Sequence, residues 1–167
     1  MTSSPRRQRM TSALLTIAQL GHAHWFFGNL YEAVVKVPDR LAEDPNLEIR
    51  SDRITPRSLL RRGSPVLYFL PGAPVAIGAP LATLAAGWTS QAHDRKWLAV
   101  SAGCSLAGGL LTGYIVRQLN TRLFFTVDQP DRAERDVLLR QWHLLNYARL
   151  AASGTAWLAA QRARRHR

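Results

Sequence analysis

The chain has 167 residues, a formal net charge of +11, 47% hydrophobic residues and one cysteine, Cys104. That length bounds it to a single domain, and the lone cysteine excludes an internal disulfide and any cysteine-rich metal centre. The charge of +11 would suit a nucleic-acid partner, but no recognition helix or aromatic RNA-binding motif accompanies it, so no nucleic acid is expected.

The mean hydropathy of −0.13 is that of a soluble protein, yet it averages over two unlike populations. Residues 10–31, 63–93 and 97–116 contain no Asp, Glu, Lys or Arg, and 141–161 contains only Arg149. Each stretch is near or above the roughly 20 residues a helix needs to cross a bilayer. A soluble helical bundle would instead place charges along one face of each helix. The expected fold class is all-α, an integral membrane four-helix bundle. A basic N-terminal tail occupies 1–10, a four-span transmembrane domain 11–161, and a basic C-terminal tail 162–167. The expected partner is membrane lipid, with basic flanks beside anionic headgroups.

The first span covers 11–35. Arg6, Arg7 and Arg9 ahead of it, with Gly21-His22-Ala23 further on, resemble a secretory signal. The apolar stretch continues past that point through 25–30, so it reads as a retained span. The twin arginines lack the pattern that usually follows them. Lys36, Val37 and Pro38 stop the helix. Loop one, 39–62, mixes acids and arginines around Pro45 and Pro56 and has room for a short amphipathic helix at the membrane surface.

The second span covers 64–88. Pro65, Pro71, Pro74 and Pro80 predict a kinked or partly broken helix packed inside the bundle, where neighbours satisfy the freed carbonyls. Trp88 and Trp97 flank the short turn to the third span, 97–116, at the expected membrane interface. Gly109 and Gly113 in that span have the small-xxx-small spacing of close helix approach, and helix is expected to continue through Asn120 or beyond. The fourth span covers 141–161. Basic residues are densest in the two tails and the second loop. The first and third loops hold more of them in total, diluted and offset by acids. The density places both termini in the cytoplasm of a cell-membrane protein.

Polar groups inside a membrane are costly, so each is a candidate for function. Trp25, Asn29 and Glu32 fall at i, i+4 and i+7, on one face of a helix, and Trp142, Asn146 and Arg149 repeat that spacing. The simplest packing turns both stripes inward, with Glu32 and Arg149 as partners. Such a pair has a purely structural reading, holding helices together, and a functional one, since a fixed cation in a low-dielectric pocket stabilises an anionic intermediate. His22 and His24 project roughly 200° apart on a helix, which argues against a shared metal, and no metal is expected. A single inward histidine, His143 or His24, is the candidate general base. His93 and His166 carry no assigned role.

The sequence Trp142-His-Leu-Leu-Asn146-Tyr-Ala-Arg149 forms a W-x3-N-x2-R pattern. Tyr114-Ile-Val-Arg-Gln-Leu-Asn120 leaves the third span, and Gly78-Ala79-Pro80 lies in the second. Together these resemble the anthrone oxygenase-like family of small four-helix integral membrane proteins, largely a domain of unknown function, over about 11–160. The resemblance implies a four-helix membrane fold. From the fungal enzymes it also implies oxidation of polycyclic anthrones to anthraquinones by dioxygen without a redox cofactor. Asn120, Trp142, Asn146 and Arg149 are the matching positions; the His22/His24 pair and the long charged first loop have no counterpart in the pattern.

Under that implication Arg149 faces the oxyanion, and His143 or His24 takes the proton. Trp25, Phe26, Phe27 and Trp142 line an aromatic slot, and Asn120 and Asn146 orient ring oxygens. Asn29 and Glu32 complete the wall around a hydrophobic small-molecule substrate. The alternative is a non-enzymatic membrane protein, either a small-molecule carrier or a structural partner of another membrane protein. Internal repeats would favour a carrier, and the sequence has none.

Overall fold

The computed structural model describes residues 5–44, 47–88 and 94–164. His93, His166 and the last basic residues of the C-terminal tail lie outside the described residues. Among the described residues the chain is helical, with no strand and a single isolated bridge between Ser51 and Thr126.

Helix α1 runs Pro5–Val34. Lys36 then takes a left-handed conformation (φ 53°) and α2, Val37–Glu43, begins at once. Pro38 stops nothing: it opens α2 in the first helical turn, where a missing N–H goes unnoticed. Loop one also holds α3, Pro56–Leu59. Ala42 and Ile49 of this loop are buried in the largest apolar cluster among the described residues, with Leu119, Phe124, Phe125 and Trp142. The Ser51 N–H donates to the Phe125 carbonyl at 2.8 Å and ties the loop to the third long helix.

The proline-rich second stretch breaks into α4, Pro65–Phe69, and α5, Ala73–Gly87. Ser64 caps α4 by accepting from the Val66 N–H, while its hydroxyl donates to the Leu59 carbonyl at 2.6 Å. Gly72, at the break, lies against the His24 ring, where any Cβ would collide.

Helix α6, Arg95–Tyr114, is capped by Asp94, which accepts from the Lys96 N–H at 2.9 Å. It continues unbroken as a π-helical segment, Ile115–Phe125, closed by an i→i−5 bond from the Thr126 N–H to the Thr121 carbonyl. Helix therefore persists past Asn120 as the sequence suggested, but with wider turns.

Helix α7 spans Arg132–Arg162 and starts well before the expected 141. Asp131 caps it, accepting from the Glu134 N–H at 2.8 Å. Its first turns are charged, so a search for charge-free stretches misses them.

Helix α1 packs against α5 and α7, and α6 packs against α5 and α7, so the four long elements close a ring. Two segments are long and apolar enough to cross a membrane: Pro65–Gly87 and Arg95–Phe125, each with mean hydropathy 1.5. Only 22% and 28% of these windows is buried within the fold, so much of each is at least partly exposed, unlike the mostly buried core helix of a soluble protein. Helices α1 and α7 are long enough but less apolar.

The glycines act differently from their spacing. Gly109 meets Ile77 of α5, whereas Gly113 and Gly103 face open space. Gly113→Ala is therefore expected to change stability by no more than ~0.5 kcal/mol. Gly109→Ala, with its Cβ 2.7 Å from Ile77 Cδ1, is expected to cost about 1–3 kcal/mol from overpacking. Unfolding titrations in mild detergent with added dodecyl sulfate compare the two, and equal midpoints would refute the distinction.

Candidate binding site around Arg149

The two inward stripes meet. Arg149, 3% exposed, donates through Nη2 to Glu32 Oε2 at 3.0 Å and through Nε and Nη2 to Asn146 Oδ1 at 3.1 and 2.7 Å. Asn146 Nδ2 in turn donates to the Asn29 carbonyl at 3.1 Å, so the amide holds α1 with one end and the guanidinium with the other. Trp142 Nε1 donates to Asn120 Oδ1 at 2.9 Å, which fastens the π-helical segment to α7. Two rings flank the cation: the guanidinium carbon lies 5.6 Å from the Phe69 centroid and 5.8 Å from that of Trp142. Cation–π attraction strengthens when the cation is desolvated, as here.

The Arg149 guanidinium and the Glu32 carboxylate border an apolar cavity of about 110 Å³ walled by Trp25, Phe69, Val116 and Trp142, with Asn120 at its edge. A second cavity of about 480 Å³ adjoins it, lined by Gly28, Tyr31, Val37, Leu41 and Tyr68, and sharing Glu32, Pro65 and Phe69 with the first. Burying an ion pair is favourable only with good geometry and satisfied remaining groups. Here capacity is left over: among the described residues neither Arg149 Nη1 nor Glu32 Oε1 makes a hydrogen bond. Buried Trp25 Nε1 and both side-chain polar atoms of Asn29 also lack a partner. Buried polar groups are rarely left this way.

The histidines lie elsewhere. His143 Nε2 meets Asp39 Oδ2 at 2.8 Å and braces α7 against α2. His24 packs on Tyr68 and Phe69, with ring centroids 5.1 and 6.3 Å away. Neither lines the two cavities. Each is one residue from a tryptophan of its stripe, and one residue turns the side chain by ~100° around the helix. His22 is fully buried, with Nε2 3.4 Å from Ser105 Oγ and 3.5 Å from Ser101 Oγ. Phe26 and Phe27 pack against Trp157 and line neither cavity, whereas Trp25, Phe69 and Trp142 line the smaller one. Asn29 contributes its carbonyl, and its side chain lines neither cavity. Among the described residues no group of three His, Cys, Asp or Glu gathers to hold a metal ion.

Trp142→Phe removes the donor to buried Asn120. It is expected to destabilise the fold by about 1–3 kcal/mol, the cost of an orphaned acceptor. The Trp142→Phe/Asn120→Leu pair should cost less than the two single changes added together. Additive costs in a detergent unfolding series would show that the bond contributes nothing.

Comparisons with protein-family models, with curated proteins and with solved structures find no match for this chain.

Proposed function

We propose that this protein is a four-helix integral membrane protein, with α1 and α7 as the two further spans and both termini cytoplasmic. In this reading it is an anthrone oxygenase-like enzyme that holds a hydrophobic polycyclic aromatic ketone against Arg149 and oxidises it with dioxygen. The observation that carries the reading is a buried guanidinium between two aromatic rings with one nitrogen uncommitted beside an apolar cavity. The outward apolar surface of Pro65–Gly87 and Arg95–Phe125 supports the membrane setting. A bilayer concentrates both an apolar substrate and dioxygen.

The chemistry follows from the residues at hand. An anthrone carries an acidic C–H whose conjugate base is a delocalised oxyanion. Glu32, with one free oxygen on the cavity wall, takes the proton in place of the histidines. Arg149 Nη1 and the Trp25 N–H stabilise the oxyanion. The anion itself is the reductant: it gives one electron to dioxygen, and the resulting radical pair joins to form a C–O bond. The peroxide takes its proton back from Glu32. Loss of water, using the second hydrogen at that carbon, leaves the quinone, so anthrone and dioxygen become anthraquinone and water.

The competing reading, a purely structural ion pair in a carrier or membrane partner, draws on the bonds that join α1 to α7 through Arg149 and Asn146. Oxygen uptake by the detergent-solubilised protein over an anthrone panel separates the two. Wild type is expected to consume dioxygen and form quinone without added cofactor. At matched folded amounts Arg149→Lys should lower the rate about 10²-fold, and Glu32→Gln about 10²–10⁴-fold. Uptake no faster than the uncatalysed background in wild type would refute the oxygenase reading.

A further inference from the structure

The cavity beside Arg149 is too small for the molecule its chemistry suits. At about 110 Å³ it is smaller than the roughly 150 Å³ cavity that encloses a single benzene in another protein. A fused three-ring ketone cannot lie inside it. The neighbouring cavity of about 480 Å³ falls within the 300–1,000 Å³ or so usual for small-molecule sites, but apart from the shared Glu32 it has no charged group on its wall. One compartment has the chemistry and the other has the room.

The side chain between them is Phe69. It belongs to both walls, as do Glu32 and Pro65, and its ring covers the Arg149 guanidinium at 5.6 Å. The ring stands edge-on to Tyr68, with centroids 5.0 Å apart at 88°. It rests against α1 where Gly28 leaves space: a Cβ at Gly28 would sit 2.8 Å from Phe69 Cε1. Phe69 is carried by α4, a helical piece of five residues between Gly63, at a φ of +84° that other residues rarely adopt, and the break at 70–72. It is therefore placed on a short segment rather than within a long helix.

We propose that the two cavities are halves of one elongated site for polycyclic aromatic ketones, and that Phe69 is the partition whose size decides how much of such a molecule reaches Arg149. The proposal rests on the binding reading of the Arg149 cavity given above. A single-ring ketone already needs the Phe69 ring to give way slightly before it fits beside Arg149. Larger ones place one ring there and the remainder against Tyr31, Leu41 and Tyr68, and need the Phe69 ring displaced.

Photolabelling with benzophenone, a two-ring ketone that inserts into nearby C–H bonds, tests this in the solubilised full-length protein. Val66 and Val116 line only the inner cavity, while Val37 and Leu41 line the outer one and not the inner. Peptide mapping should find adducts on both pairs in wild type. Phe69→Ala should raise the inner-to-outer ratio about tenfold, equivalent to about 1.4 kcal/mol of relief, and Phe69→Trp should lower it by a similar factor. Phe69→Leu, closer in volume to the native ring, should raise the ratio less and serves if the alanine variant misfolds. A ratio unchanged across the series, with both pairs labelled, would overturn the partition and leave the Arg149 site standing. No adduct on Val66 or Val116 in any variant would overturn the binding reading and the partition with it.

Discussion

Arg149→Ala is expected to destabilise the fold by about 3–5 kcal/mol, the usual consequence of removing one partner from a buried ion pair. The loss arises on the other side of the pair. Glu32 would keep a buried carboxylate facing no cation, and Asn146 would lose the two donors its side-chain oxygen now accepts from. Changing both members, as in Glu32→Gln/Arg149→Met, should therefore yield a fold more stable than Arg149→Ala alone. The single and double variants compared by dodecyl sulfate unfolding give the coupling. A double variant no more stable than Arg149→Ala would show that the bridge is not the source of the loss. Arg149→Lys separates fold from site, because lysine keeps the charge toward Glu32 but has no fork with which to engage Asn146 as well.

The second large effect is expected at Gly21. A Cβ there would lie 2.9 Å from the Ala76 backbone nitrogen and 3.0 Å from its Cα. Backbone cannot swing aside as a side-chain tip can, so Gly21→Val must push α1 away from α5. Overpacking of this kind typically costs about 1–3 kcal/mol, with Gly21→Ala lying between valine and wild type. Gly21 is also one turn before Trp25 on the same face. A displaced α1 carries Trp25, Asn29 and Glu32 with it, so the Glu32–Arg149 contact should loosen even though Gly21 touches neither residue. Thermal melts of the three proteins in one detergent, followed by circular dichroism, would show the order. A valine variant as stable as wild type would rule out the close approach.

The parts of the site that follow helical periodicity were legible in the sequence. Trp25-Asn29-Glu32 and Trp142-Asn146-Arg149 each repeat at the spacing of one face, and two polar faces in an apolar setting have few ways to pack other than together. What depends on chain reversal was not legible. Phe69 flanks Arg149 only because the helix breaks at 70–72, and a segment with four prolines does not announce which of them breaks it. His143 turns to Asp39 because α2 folds back after Lys36, a left-handed residue that no pattern marks. Gly113 shares the spacing of Gly109 and has no neighbour: spacing gives the face, and only packing says whether another helix stands opposite it. The fully buried Asn29 side chain without a hydrogen bond is invisible to any rule of sequence, because partnership is a property of three-dimensional surroundings.

The Glu32–Arg149 bridge joins residues 117 positions apart, one on the first long helix and one on the last. In a chain made from its N-terminus onward, Glu32 emerges long before its cation exists. In the four-span arrangement proposed above, its place two residues from the end of α1 lets the unpaired carboxylate wait at headgroup depth, where a charge costs little. Arg149 lies in the middle of α7, so in that arrangement it enters last, when Glu32 and Asn29 of α1 have already been made. In that arrangement the arrival of the last helix is the step that closes the bridge between the two ends of the chain.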